Sequence, residues 1–183
     1  MNNQLKYLII VCALLVTTQV FADDSAIGEM WTRAQDSLSE TWGSESYEVY
    51  IPIHTWHNRD YYSSEKIDSY NEQPWGLGLG KYRFDNDADW HALYIIAFQD
   101  SHNDIEPVAG YAFQNMWRPS EHIRLGVGIT AGVTIRKDDD YVPTPVIAPL
   151  VSIAYKKLAL QSTYIIGGDG YGNVLFTWLR WQL

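Results

Sequence analysis

The stretch from His122 to Arg136, HIRLGVGITAGVTIR, alternates with a period of two along its whole length. Its odd positions, Ile123, Leu125, Val127, Ile129, Ala131, Val133 and Ile135, are all apolar. Its even positions, His122, Arg124, Gly126, Gly128, Thr130, Gly132, Thr134 and Arg136, are polar or lack a side chain. Successive side chains of a strand point to opposite faces, so this segment has one greasy face and one polar or vacant face. In a soluble sandwich the greasy face is buried and the other meets water. In an outer-membrane barrel the greasy face meets lipid and the other meets the lumen.

The flanking sequence favours the barrel. The C-terminal residues repeat the rule, with Leu175, Leu179, Trp181 and Leu183 on one face and Arg180 and Gln182 on the other. Tyr47 to Trp56, Pro74 to Arg83, Asp89 to Phe98, Glu106 to Asn115, Val146 to Tyr155 and Leu158 to Ile166 also read as strands, making eight in all. An even number of strands joined by alternately short and long connections predicts an all-β fold, an eight-stranded antiparallel transmembrane barrel. The turns around Asp85 to Ala88, Pro119-Ser120 and Lys156-Lys157 belong on the periplasmic side. The connections after Trp56, Phe98, Ile135 and Ile166 share the outer rim.

The N-terminal segment sets the compartment. Lys6 is followed by the apolar run Leu8 to Val16 and by Val20-Phe21-Ala22 at cleavage spacing, so residues 1–22 read as a secretory signal peptide. Its removal takes the only cysteine, Cys12, which excludes a disulfide scaffold or a thiol enzyme. Residues 23–45 contain an amphipathic helix, Ala26 to Trp42, with Met30, Trp31, Ala34, Leu38 and Trp42 at helical spacing. A periplasmic plug or interfacial anchor is its expected role. The barrel occupies residues 46–183. With 8 Trp and 13 Tyr the chain holds the material of aromatic girdles. A net charge of −9 argues against a grip on nucleic-acid phosphates.

A barrel of this size has room for side chains or one small ligand, not for an open pore. Parity sends Gly76, Gly78 and Gly80 of one strand, and Gly126, Gly128 and Gly132 of another, into the lumen. Such glycines mark either a ligand-sized cavity or strong coiling at barrel corners, and both readings stand on the sequence. The third strand, Trp90 to Phe98, is apolar on both faces, as expected where part of the lumen is dry. A narrow, dry slot suits a hydrocarbon tail. Pro52 and Pro149 interrupt strands and remove ladder donors, which points to a lateral opening or to a bulge.

At the outer rim, the strand ends bring Thr55-Trp56-His57, Asp100-Ser101 and Arg136 towards one mouth. An imidazole, a hydroxyl, a carboxylate and a guanidinium are the parts of an acyl-transfer site. Among the histidines, no pair has metal-binding geometry, since His54 and His57 fall on opposite strand faces.

Several motifs carry a family resemblance: Tyr50-Ile51-Pro52, Thr55-Trp56-His57, Tyr70-Asn71-Glu72, Pro74-Trp75-Gly76, Asp100-Ser101, Ala109-Gly110-Tyr111, Trp117-Arg118-Pro119, Thr130-Ala131-Gly132-Val133-Thr134 and Gly172-Asn173-Val174. In order and spacing they resemble the PagP family of outer-membrane lipid A palmitoyltransferases. The resemblance implies transfer of a palmitoyl chain from the sn-1 position of a phospholipid to a hydroxyacyl chain of lipid A. It maps the family's catalytic residues onto His57, Asp100 and Ser101. His57 is expected to accept the proton of the lipid A hydroxyl, with Ser101 and Asp100 positioning the ester and the imidazole. Gly110, Ala112, Gly76, Gly78, Gly126, Gly128 and Arg136 are the expected substrate-binding residues.

The expected partners are the phospholipid donor and the lipid A acceptor in the outer membrane, with no cofactor, metal or nucleic acid and a monomeric enzyme. Two departures stand out. Palmitate-selective members have Gly-Tyr-Gly where this chain has Gly110-Tyr111-Ala112, and a methyl at the slot floor should shorten the slot by about one methylene, worth about 1–3 kcal/mol of discrimination. The second is Ile166, where the family places a gating proline. An outer-membrane esterase, giving the acyl group to water, or a non-catalytic lipid-binding barrel are the competing readings.

Overall fold

A computed structural model of the protein describes residues 26–168 and 171–183; the expected signal peptide lies outside the described residues. A helix, α1 (Ala26–Gly43), precedes the first strand. The strands are β1 (Tyr47–His57), β2 (Gly76–Phe84), β3 (Trp90–Gln99), β4 (Ile105–Trp117), β5 (Ile123–Ile135), β6 (Pro143–Tyr155), β7 (Leu158–Ile165) and β8 (Val174–Gln182), with a short helix α2 (Ser64–Asp68) between β1 and β2. Each strand pairs antiparallel with the next and β8 closes on β1, so the sheet is a closed eight-stranded barrel. Closure gives every strand two neighbours, which is what a strand structure needs in hydrocarbon. Among the described residues, no helix is long and apolar enough to cross a membrane.

The alternation of the sequence becomes two surfaces. Leu77, Leu79, Ile95, Val127, Ile129, Ile147, Val151 and Ile153 form an exposed apolar band on the outer face. Tyr47, Trp117, Tyr155 and Trp181 ring one end of the band, and Trp75, Tyr61, Tyr141 and Tyr171 the other. This is the surface that a barrel solvated by lipid requires, an apolar band with aromatic residues at both ends. The short connections after β2, β4 and β6 define a turn end, where Lys81 Nζ donates to the Trp42 carbonyl (2.7 Å) and Arg83 Nε to Thr41 Oγ1 (3.2 Å). The longer connections define a loop end.

Two ladders are incomplete at the loop end. The β1–β2 pairing stops at Tyr50↔Gly78, leaving the rest of β1 without a β2 partner. The β6–β7 pairing stops at Leu150↔Thr163, leaving Pro143 to Pro149 unpaired on that side. Pro143, Pro145 and Pro149 all pair with β5 and share one parity, so the donors they lack are missing from the edge that faces β7. The Pro149 carbonyl is instead capped by Thr163 Oγ1 at 2.8 Å. Pro52 marks something different. Along β8, Pro52 lies opposite Trp178 and His54 opposite Thr177, so Ile53 is an extra residue and β1 is bulged.

The inward glycines do not wall the cavity described below. Gly76, Gly128 and Gly132 press on a neighbouring backbone, where an added Cβ would come within 2.5, 1.8 and 2.4 Å of the carbonyl oxygens of Ala97, Phe113 and Ala109. These positions let the strands coil tightly. Gly78, Gly110 and Gly126 instead lie beneath side chains from adjacent strands: a Cβ would meet Ile96 Cγ1 at 2.6 Å, Tyr94 Oη at 2.8 Å and Ser152 Oγ at 2.6 Å. The vacancies are filled from next door.

Candidate active site

The lumen contains a cavity of about 790 Å³ that opens at the loop end. Its wall is mostly apolar, with Ile96, Phe98, Val108, Leu150 and Phe176 among the lining residues. Its floor is the buried cluster of Tyr50, Trp90, Ala112, Leu150 and Trp178. Ala112 is 1% exposed and pairs with Ala92 on β3 and Thr130 on β5. From Ala92 to Asp100 the chain climbs roughly 26 Å along the strand at about 3.3 Å per residue, or about 20 Å along a barrel axis tilted by about 40°. That depth accommodates a long extended fatty tail.

His57, Asp100, Ser101, Ala112 and Arg136 all line this cavity, Ala112 at the floor and the others at the mouth. The bulge decides where His57 points. Upstream of it the buried positions of β1 are Glu48, Tyr50 and Pro52; downstream they are Thr55 and His57. Without the extra residue, strict alternation would aim His57 at lipid. The imidazole is 2% exposed, packed against Tyr70 (ring centroids 4.6 Å apart) and against the edge of Tyr62 (5.3 Å).

Two polar contacts fix the ring. Nε2 lies 2.9 Å from Ser101 Oγ, and Nδ1 lies 3.0 Å from Glu72 Oε1. Asp100 is 5% exposed and its carboxylate is used elsewhere, with Oδ1 accepting from the backbone N–H groups of His102 (2.8 Å) and Asp104 (2.9 Å). It shapes the turn that presents Ser101. Arg136 is held by Glu106 (3.5 Å) and Asp138 (3.9 Å). Glu72 is the site residue that alternation and motif spacing could not assign, because it sits in a loop and meets His57 only through the fold. The Arg59 hydrogen bonds, against the opposing effect of partial burial and with the help of the His57 N–H and ring, hold the Glu72 carboxyl down to about 2.

Asp100, His102 and Asp138 bring one ligand atom each within 4.8 Å of one another. That proximity is explained by the Asp100 turn bonds and by the His102–Asp138 pair at 2.9 Å.

Fold and site together define a class: a small closed barrel with an outward apolar band, a mostly apolar well deep enough for one extended chain and an imidazole–hydroxyl pair at the mouth of that well. Comparison with known proteins then gives the family. The profile of the antimicrobial peptide resistance and lipid A acylation protein PagP matches residues 37–180. A lipid A acyltransferase PagP of Laribacter hongkongensis is 60% identical over 84% of this chain and 74% of its own length. Those of Pectobacterium atrosepticum (50% identical, 90% of this chain and 77% of its own length) and Dickeya chrysanthemi (46%, 97% and 93%) are similar over still more of the chain. The chain belongs to the PagP family.

Proposed function

We propose that this protein is an outer-membrane lipid A acyltransferase. It moves a palmitoyl or slightly shorter chain from the sn-1 position of a phospholipid to the hydroxyl of a hydroxyacyl chain on lipid A, and acts as a monomer. The observation that carries this reading is the His57–Ser101 pair, closed at 2.9 Å, at the mouth of a 790 Å³ apolar well. The donor's tail fills the well down to Ala112, which leaves its ester at the mouth. The two unpaired stretches, beside β1 and between β6 and β7, are where a tail can enter sideways from the bilayer.

His57 then works as a base and afterwards as an acid. Nε2 takes the proton of the lipid A hydroxyl as that oxygen attacks the ester carbonyl. When the carbonyl–glycerol bond breaks, the imidazolium returns the proton to the glycerol oxygen, which leaves as lysophospholipid. The Ser101 hydroxyl donates to Nε2 at rest and can turn to the reacting ester once Nε2 has taken the substrate proton, and the Asp100 turn holds Ser101 in place. Purified protein mixed with phospholipid and lipid A in detergent tests this by mass spectrometry. Lipid A heavier by one acyl chain, together with lysophospholipid, is expected. Free fatty acid with unmodified lipid A would make the protein a hydrolase instead.

A further inference from the structure

We infer that Glu72, and not Asp100, is the residue that sets the tautomer and orientation of the His57 imidazole, a positioning role that rests on the acyl-transfer reading for its kinetic consequence. Three donors converge on Glu72 Oε1: the His57 backbone N–H (3.0 Å), the His57 ring through Nδ1 (3.0 Å) and Arg59 Nη1 (2.6 Å). Arg59 Nη2 donates to Oε2 at 2.7 Å, and Nη1 also reaches the His57 carbonyl at 2.6 Å. The carboxylate therefore holds both the backbone and the ring of His57, and the guanidinium clamps that arrangement from outside.

The chemistry of the acceptor decides the proton. An ionised carboxylate has no hydrogen to give, so the Nδ1 facing it must carry the N–H. A neutral ring protonated on Nδ1 has its lone pair on Nε2, and Nε2 is the atom that faces Ser101 and the cavity. The base is thus set ready to accept, and the cation formed on proton uptake lies beside a negative charge. Glu72 is itself anchored at its backbone, where its carbonyl accepts from the Thr55 N–H (3.0 Å) and lies 2.8 Å from His54 Nδ1. At Thr55 the loop takes the place of the missing β2 partner, and so delivers the carboxylate to His57.

The test is Glu72→Gln, which keeps size and shape but removes the charge. The expected result is a fall in kcat of at least about a hundredfold with KM for phospholipid changed by no more than about twofold. Nitrogen NMR of ¹⁵N-histidine-labelled protein in micelles is the second readout. Wild type should show His57 protonated on Nδ1, Glu72→Gln a mixture of tautomers, and Asp100→Asn the wild-type pattern. Glu72→Asp should recover part of the lost rate. An unchanged kcat in a folded Glu72→Gln barrel, or a wild-type His57 protonated on Nε2, overturns the inference, the latter whether or not the variant folds. A wild-type Nδ1 tautomer lost in Glu72→Gln, in a protein that moves no acyl chain to lipid A, would leave Glu72 its role and remove the proposed function.

Discussion

The two halves of the lumen are built on the same strands, yet one is hollow and the other full. Between the polar mouth and the floor the wall of the loop-end half is mostly apolar, and the well stays open. At the turn end they are polar and meet each other: Ser152 Oγ donates to Gln114 Oε1 (2.9 Å), Gln161 Nε2 to the same oxygen (3.0 Å) and Trp178 Nε1 to Gln161 Oε1 (3.1 Å). Tyr50 donates to Glu48, whose other oxygen lies 3.7 Å from Arg180 Nε, and the Arg180 guanidinium sits 3.9 Å over the Trp90 ring. Tyr50, Trp90 and Trp178 are therefore the boundary, greasy above and hydrogen-bonded or charge-paired below. On the proposed function, a tail entering from the mouth would stop there, because going further would break polar contacts that hydrocarbon cannot replace. Chain-length selection needs such a rigid floor.

Damage at the mouth should remove activity, whereas damage below the floor should remove stability. His57→Ala should lower transfer by about 10²- to 10⁴-fold, the usual contribution of a general base. The barrel should stay folded, since the ring packs on loop aromatics and not on the ladder; heat-dependent gel mobility checks this. Below the floor, Glu48→Gln leaves Arg180, 1% exposed, without its counter-charge. Breaking such a pair costs about 3–5 kcal/mol, so urea unfolding from micelles should shift by that amount while the transferred chain keeps its length. Replacing both partners, Glu48→Gln with Arg180→Met, should recover most of the loss. If the single variant unfolds like wild type, the turn half is not a structural plug.

The sequence held the fold more openly than the site. Period-two alternation and turn residues placed all eight strands within a few residues, because in a lipid-solvated barrel every strand must alternate. The largest difference is β6, which begins at Pro143 and so contains three prolines; they are tolerated because β7 does not reach that edge. The inward direction of the glycines was readable too, but what fills the space above them was not, since that depends on neighbours such as Ile96 and Tyr94. At the mouth, the motif residues gathered as their order implied. The bulge that turns His57 inward was flagged only by Pro52. The carboxylate that touches His57 stands in a motif, Tyr70-Asn71-Glu72, to which no role was assigned from sequence, because only the fold brings that loop to β1.

A smaller effect sharpens the boundary itself. The methyl of Ala112 lies at the floor, beside Ala92 and Thr130. Ala112→Gly should deepen the well by about one methylene and move the preferred chain upward in length, with discrimination between adjacent lengths changing by about 1–3 kcal/mol. Mass spectra of lipid A acylated from a mixture of phospholipid chain lengths measure this directly. Unaltered preference would place the floor at Tyr50 and Trp90 alone.

The smallest effect concerns the rim, where charge is partly screened by water. Glu72 has its carboxyl held at about 2 against an ordinary value of 4.5, chiefly by Arg59. A depressed value means that the ion pairs stabilise the folded state fully above about pH 4.5, and that this contribution is lost as pH falls through about 2. The stability difference between wild type and Glu72→Gln, of the order of 1 kcal/mol as for partly exposed pairs, should therefore shrink towards zero as pH falls from about 4.5 into strong acid. Urea unfolding at a series of pH values gives the curve. The same carboxylate remains ionised wherever the enzyme works, so an acid limb in the rate profile near neutrality belongs to another group. A difference between the two proteins that grows as pH falls from 5 to 3 would mean that the carboxyl is not held low, and that Arg59 does not clamp it.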